Sequence, residues 1–125
     1  MIKPKKIIYK NQKEVHDFII TELRSKYFDK VKEAYLIGSL ANENFGKYKD
    51  SDQVSDVDVV IIPTEIPREW KYEGEFYSWH KKYNIGKIKI KDNLHQINFM
   101  IPFEQKIKLF FEKAKELNWK IEKLK

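Results

Sequence analysis

Cysteine is absent from the 125-residue chain. That excludes a disulfide framework, a thiolate nucleophile and a zinc-ribbon site, and it favours a reducing compartment. Long apolar runs are absent too. No stretch approaches the roughly 18 apolar residues of a membrane span, and the basic residues 1–10 are not followed by the apolar run of a signal peptide. A soluble, cytoplasmic protein without a membrane partner is the expectation. Arginine is scarce: Arg24 and Arg68 are the only two among 25 basic residues. The net charge of +6 invites a nucleic-acid reading. Yet the planar guanidinium fork is the preferred reader of phosphate and base edges, and lysines scattered along helices read as solvated faces. Anionic nucleotides or an acidic partner suit the same charge without a dedicated nucleic-acid surface.

The length fits one domain with a core of its own, and no repeat or linker divides it. Val15, Phe18, Ile19, Leu23 and Tyr27 recur at helical spacing and predict a helix over 13–27, opened by an Asn11–Glu14 capping box. Residues 33–37 read as a strand ended by Gly38, and residues 57–62 as a second strand stopped by Pro63. The polar stretch 40–55 between them reads as a long loop, with a short helical turn at its start as the alternative. Residues 64–84 are aromatic and interrupted by Pro67 and Gly74. A helix over 75–83 is predicted there, with Trp70, Tyr72, Phe76, Tyr77, Trp79 and Tyr83 either covering the core or stacking on bases.

The alternation Lys87-Ile88-Lys89-Ile90-Lys91 predicts a half-exposed strand. An Asp92-Asn93 turn would join it to a second strand over 94–101. Pro102 is expected to open a closing helix. Its apolar stripe is Phe103, Ile107, Phe110, Ala114, Leu117, Ile121 and Leu124, packed on the sheet or against a partner helix. The chain therefore reads as a single α+β domain: a mixed sheet with a late hairpin, flanked by N- and C-terminal helices.

Two short stretches carry chemistry. One is Gly38-Ser39 at the end of the first strand; the other is Asp56-Val57-Asp58 entering the second. Alternation puts Asp56 and Asp58 on one face, about 7 Å apart along the backbone. Two carboxylates beside the apolar run Val59 to Ile62 are costly unless a positive charge sits between them, and hard cations take oxygen ligands. The bland alternatives are that Ser39 caps a helix and that Asp56 sits beside a lysine at a strand end. Asp58, flanked by Val57, Val59 and Val60, is the hardest to explain without a cation.

An apolar strand, Gly-Ser, a loop and Asp-x-Asp within an apolar strand resemble the signature of the DNA polymerase beta-type nucleotidyltransferases. Ala41, two residues after the serine, also matches, and the matched stretch spans about a quarter of the chain. The resemblance implies that Gly38 and Ser39 bind the phosphates of an NTP, ATP foremost. It implies that Asp56 and Asp58 are catalytic and hold Mg²⁺, with Mn²⁺ as a substitute. The reaction implied is transfer of an NMP to a hydroxyl with loss of pyrophosphate. The absence of room for an acceptor-binding domain resembles the minimal nucleotidyltransferases, some of which are antitoxins that modify a helical HEPN-type partner.

Two departures stand out. Asn42 occupies the position where the family carries a basic residue, leaving Lys47 or Lys49 to supply that charge. The strand expected to carry the family's third carboxylate reads His95-Gln96-Ile97-Asn98, so Gln96 and Asn98 stand in the uncertain third position. Neither amide can act as a base. His95 falls on the opposite face and reads as structural. Asp92, Glu73 and Glu75 are candidate substitutes. The competing function is a degenerate nucleotidyltransferase module that binds a nucleotide or a protein partner without turnover.

Overall fold

The computed structural model describes residues 6–48, 54–76 and 79–125. Chain order is β1 (Lys6–Ile8), α1 (Gln12–Lys26), a 3₁₀ turn (Phe28–Lys30), β2 (Val31–Ile37), α2 (Gly38–Ala41) and β3 (Gly46–Tyr48). There follow β4 (Val57–Pro63), β5 (Lys71–Phe76), β6 (His80–Ile90), β7 (Asn93–Pro102), a 3₁₀ turn (Phe103–Gln105), α3 (Ile107–Glu116) and β8 (Glu122–Lys123). The architecture is α+β. Six strands form a mixed sheet in the order β5-β6-β7-β4-β2-β8, and β1 with β3 forms a separate ribbon. Only β4 and β7 pair in parallel; the other contacts of the large sheet are antiparallel.

Helix α1 forms as its periodicity predicts. Asn11 caps it by accepting from the Glu14 amide at 3.0 Å and donates from Nδ2 to Glu14 Oε2 at 3.0 Å. Its buried face of Val15, Ile19, Ile20 and Leu23 joins Ala34, Leu36, Val57, Val59, Ile61, Ile97 and Phe99 in the larger core. The opposite sheet face presents Tyr35, Ile37, Val60 and Met100, which pack with Phe110 and Ala114 of α3 and with Trp79. Because alternate residues of β4 point to opposite faces, Asp58 shares the α3-side face with Val60. In β7, Gln96 and Asn98 share it with Met100. The central strands are apolar on both faces because both faces are covered.

Several expectations are corrected. The helix over 75–83 is absent: Phe76 ends β5 and His80 begins β6, and the two strands pair with Phe76 opposite His80. The helical spacing of Phe76, Trp79 and Tyr83 arises from two strands folded back on each other. The stretch 40–55 does open on a short helical turn, the end of α2, but it also contains β3. Residues 50–53, with Lys49 before them, lie outside the described residues. The hairpin between β6 and β7 does form, but its turn is Lys91-Asp92, both with positive φ, and Asn93 already pairs with Ile90.

Pro102 closes β7 rather than opening a helix, and α3 starts at Ile107. The apolar stripe also ends sooner than its spacing predicts. Asn118, at φ +55, breaks the helix. Leu117 is exposed, and Leu124 leaves the stripe to bury itself in the larger core. Three of the aromatics serve packing: Trp70 is buried edge-on against Phe99, and Phe76 and Trp79 belong to the α3-side cluster, whereas Tyr72 is exposed. Tyr77 lies outside the described residues. Among the described residues no helix is long and apolar enough to cross a membrane.

Candidate functional site

The strand register brings the polar residues together. Ile37, Asp58, Asn98 and Asn84 are successive partners across β2, β4, β7 and β6. Gly38 follows Ile37 immediately, so the end of β2 and the start of β4 meet at Asp58. Gly38 has φ +79, a conformation that side chains rarely adopt. It opens the short helix α2, whose turn is closed by the Asn42 side chain donating to the Gly38 carbonyl at 2.9 Å. Asn42, found where the resemblance implies a base, thus serves the corner's backbone. Ser39 caps nothing: α2 has no side-chain cap, and among the described residues none hydrogen-bonds the Ser39 hydroxyl.

Asp56 and Asp58 converge. Asn98 Nδ2 donates to Asp56 Oδ2 at 3.1 Å and to Asp58 Oδ1 at 2.9 Å. Neither aspartate forms an ion pair among the described residues. Burial, and secondarily the charge of Asp56, push the Asp58 carboxyl up to about 6, against the Asn98 hydrogen bond and the Lys82 charge that favour ionisation. The pair therefore resists being doubly negative, the electrostatic condition that a bound cation relieves.

Gln96 joins the same network. Its Nε2 donates to Asn98 Oδ1 at 2.7 Å and to Glu73 Oε1 at 2.8 Å. Glu73, on β5, also receives Asn84 Nδ2 at 3.5 Å and lies 3.8 Å from Lys82 Nζ. Of the three acids considered as substitutes for a third carboxylate, only Glu73 is tied into the site. Asp92 sits fully exposed in the hairpin turn beside Lys89, about 20 Å along β7 from Asn98 at strand rise. Glu75 lies opposite Lys81 at the sheet edge.

His95 is structural. Its Nδ1 meets the Ser55 carbonyl at 2.6 Å, and a carbonyl can only accept, so Nδ1 carries the proton. Nε2 is then the acceptor for the Tyr9 hydroxyl at 2.7 Å. Burial holds the imidazole below its usual range, hence neutral. The residue it grips directly precedes Asp56. Ser55 is held further by Gly46, whose amide donates to the Ser55 hydroxyl at 3.0 Å and whose carbonyl receives the Ser55 amide at 2.8 Å.

A cavity of about 490 Å³ lies elsewhere, lined by Tyr27, Arg68, Trp70 and Ile85 among others. It shares no residue with the aspartate cluster, and its mixed charges, including the Lys30–Glu65 pair at 2.9 Å, favour no sign of ligand. No family model, no curated protein and no solved structure matches the chain.

Proposed function

We propose that this protein is a nucleotidyltransferase of the polymerase beta type, transferring an NMP from an NTP, ATP foremost, to a hydroxyl acceptor. The observation that carries the reading is the convergence of Asp56 and Asp58 beside a glycine corner at the meeting of β2 and β4. The donor set suits one hard divalent cation: two carboxylates, one of them held against ionisation when alone. Asp56 and Asp58 would hold Mg²⁺, or Mn²⁺ in its place. Bound there, the cation would neutralise the nucleotide's phosphates.

The chain's own residues supply positioning. Gly38, lacking Cβ, lets the Asp58 carboxylate lie against the corner, and the Ser39 hydroxyl is available to donate to a phosphate oxygen. The acceptor hydroxyl oxygen bonds to the α-phosphorus. The bond from that phosphorus to the β-phosphate oxygen breaks, pyrophosphate leaves with the electron pair, and the hydroxyl proton passes to solvent. A protein acceptor, such as a helical HEPN-type partner, rests on resemblance alone.

One observation favours the second reading, a degenerate module that binds without turnover. Asn98 stands where the family's third carboxylate is expected, and it offers both aspartates N–H donors rather than a negative charge.

Incubation with α-labelled ATP, Mg²⁺ and the product of the neighbouring open reading frame tests the enzyme reading, which expects label on that product and none with Asp58→Asn. ATP·Mg²⁺ that raises the melting temperature of the wild type but not of Asp58→Asn, without label transfer, establishes the module instead. If neither nucleotide nor cation changes the melting temperature, both readings fall.

A further inference from the structure

The amide orientations around the aspartates follow from the hydrogen-bonding inventory. Carboxylates accept only, so Asn98 must turn its NH₂ toward Asp56 Oδ2 and Asp58 Oδ1, at 3.1 and 2.9 Å. Its Oδ1 then faces Gln96, which must answer with Nε2, at 2.7 Å. The other Gln96 N–H goes to Glu73 Oε1 at 2.8 Å. Two amides thus run between acceptors at either end, and all four of their N–H bonds are used.

A cation between Asp56 and Asp58 requires the reverse. It repels N–H groups and takes an amide through its oxygen. Turning Asn98 Oδ1 inward points its NH₂ at Gln96, which must then offer Oε1. That same oxygen would face the Glu73 carboxylate, two acceptors with no hydrogen between them. Glu73 opposes the turn for as long as it stays in place. Its alternative partners are already beside it, Lys82 Nζ at 3.8 Å and Asn84 Nδ2 at 3.5 Å.

We infer that Glu73 is a positioning residue: acting through Gln96, it latches the Asn98 amide with its N–H groups toward Asp56 and Asp58, and divalent-cation binding requires that latch to open. The inference rests on reading Asp56 and Asp58 as a cation site. It makes the opposite forecast to simple electrostatics. Removing a nearby negative charge, or a direct ligand, would weaken cation binding; removing a latch strengthens it.

The test is Mn²⁺ titration of the full chain, with free Mn²⁺ followed by its paramagnetic resonance signal. Wild type, Glu73→Gln, Gln96→Leu and Asn98→Asp are compared, with cation-free thermal unfolding of each. A glutamine at 73 can donate to the turned Gln96 oxygen. Glu73→Gln is therefore expected to bind Mn²⁺ about five- to tenfold tighter than wild type, the worth of one hydrogen bond. Gln96→Leu should also bind tighter and carries the test should Glu73→Gln not fold. Asn98→Asp, which supplies a carboxylate in place of the latched amide, should bind tighter than wild type. Binding by the wild type with equal or weaker binding by Glu73→Gln and Gln96→Leu overturns the latch and leaves the cation site standing. Absence of binding by wild type and by Asn98→Asp overturns the cation site, and the latch with it.

Discussion

A Cβ added to Gly38 would stand 3.0 Å from Oδ2 of Asp58. The glycine is thus required twice, by its φ of +79 and by the carboxylate lying against it. Gly38→Ala combines left-handed backbone strain with a displaced Asp58, and is expected to cost about 1–3 kcal/mol. Urea unfolding at neutral pH measures this, and Mn²⁺ titration of the folded fraction should show weaker binding. An alanine variant as stable as the wild type would mean that the corner is not held as described.

Asp58 makes cation-free stability depend on pH with a definite sign. Its folded-state carboxyl titrates at about 6 against an ordinary 3.8. Below 3.8 it is protonated whether folded or unfolded. Between the two values the folded state binds the extra proton, so stability falls as pH rises, and above about 6 the loss is complete. The loss is on the order of 3 kcal/mol at most. Asp58→Asn should remove it. Relative to wild type, this variant gains stability at pH 7.5 but not at pH 3.5 in cation-free denaturant titrations, and saturating Mn²⁺ should stabilise only the wild type. A cation-free Asp58→Asn protein that is strongly destabilised at pH 7.5 would contradict a repulsive carboxylate pair.

How much of this was readable follows from strand length and coverage. The alternation that places Asp56 and Asp58 on one face, and Gln96 and Asn98 on one face, needs only the chain's own period of two. The register that sets Asn98 beside Asp58 is a tertiary fact, but both strands announce themselves through apolar runs covered on both sides. Glu73 carried no such signal. It lies on an edge strand rich in charge, broken by Gly74, where β5 and β6 pair with a register shift between Tyr72 and Glu75. Its neighbours Phe76, Trp79 and Tyr83 imitate a helical stripe across the reversal. β1 and β3, at three residues each, are too short to show any period. The C-terminal stripe overran its helix because the chain reverses at Asn118 to let β8 pair with Tyr35 and Leu36.

His80 acts across nearly the same pH window as Asp58, with the opposite sign. It is fully buried on the α3 side, packed against Trp79, Phe76 and Phe110, and neither ring nitrogen has a well-formed hydrogen bond. Burial depresses its pKa to about 4, with the Phe76 backbone recovering only part of that. The unfolded chain therefore takes up a proton that the folded one refuses. The stability is fully present above about 6.5 and is lost as pH falls towards 4, by up to about 3 kcal/mol. His80→Phe should remove this contribution, leaving the fall in stability that Asp58 causes as pH rises unopposed, and stabilise the protein by about 1–2 kcal/mol at neutral pH, since an unsatisfied polar group is replaced by an apolar ring. Melting temperatures at pH 4.5 and 7.5 decide it; a difference between the two pH values in His80→Phe equal to that of the wild type would locate the sensitivity elsewhere.

The Tyr9–His95–Ser55 chain carries the last expectation, because it links the N-terminal ribbon to the residue before Asp56. Tyr9→Phe deletes the donor to His95 Nε2 and leaves a buried acceptor unpaired, a loss of about 1–3 kcal/mol. The same change removes the acceptor for Asn93 Nδ2, which sits at 3.2 Å. The imidazole can still donate to the Ser55 carbonyl through Nδ1, so Asp56 should keep its place. Mn²⁺ affinity of the folded Tyr9→Phe protein is then expected to match the wild type. His95→Leu, by contrast, frees the Ser55 carbonyl as well, and should lose both stability and cation affinity. Paired unfolding and Mn²⁺ titrations separate the two variants. Equal cation affinity in all three proteins would show that Asp56 is positioned by β4 alone, without help from His95.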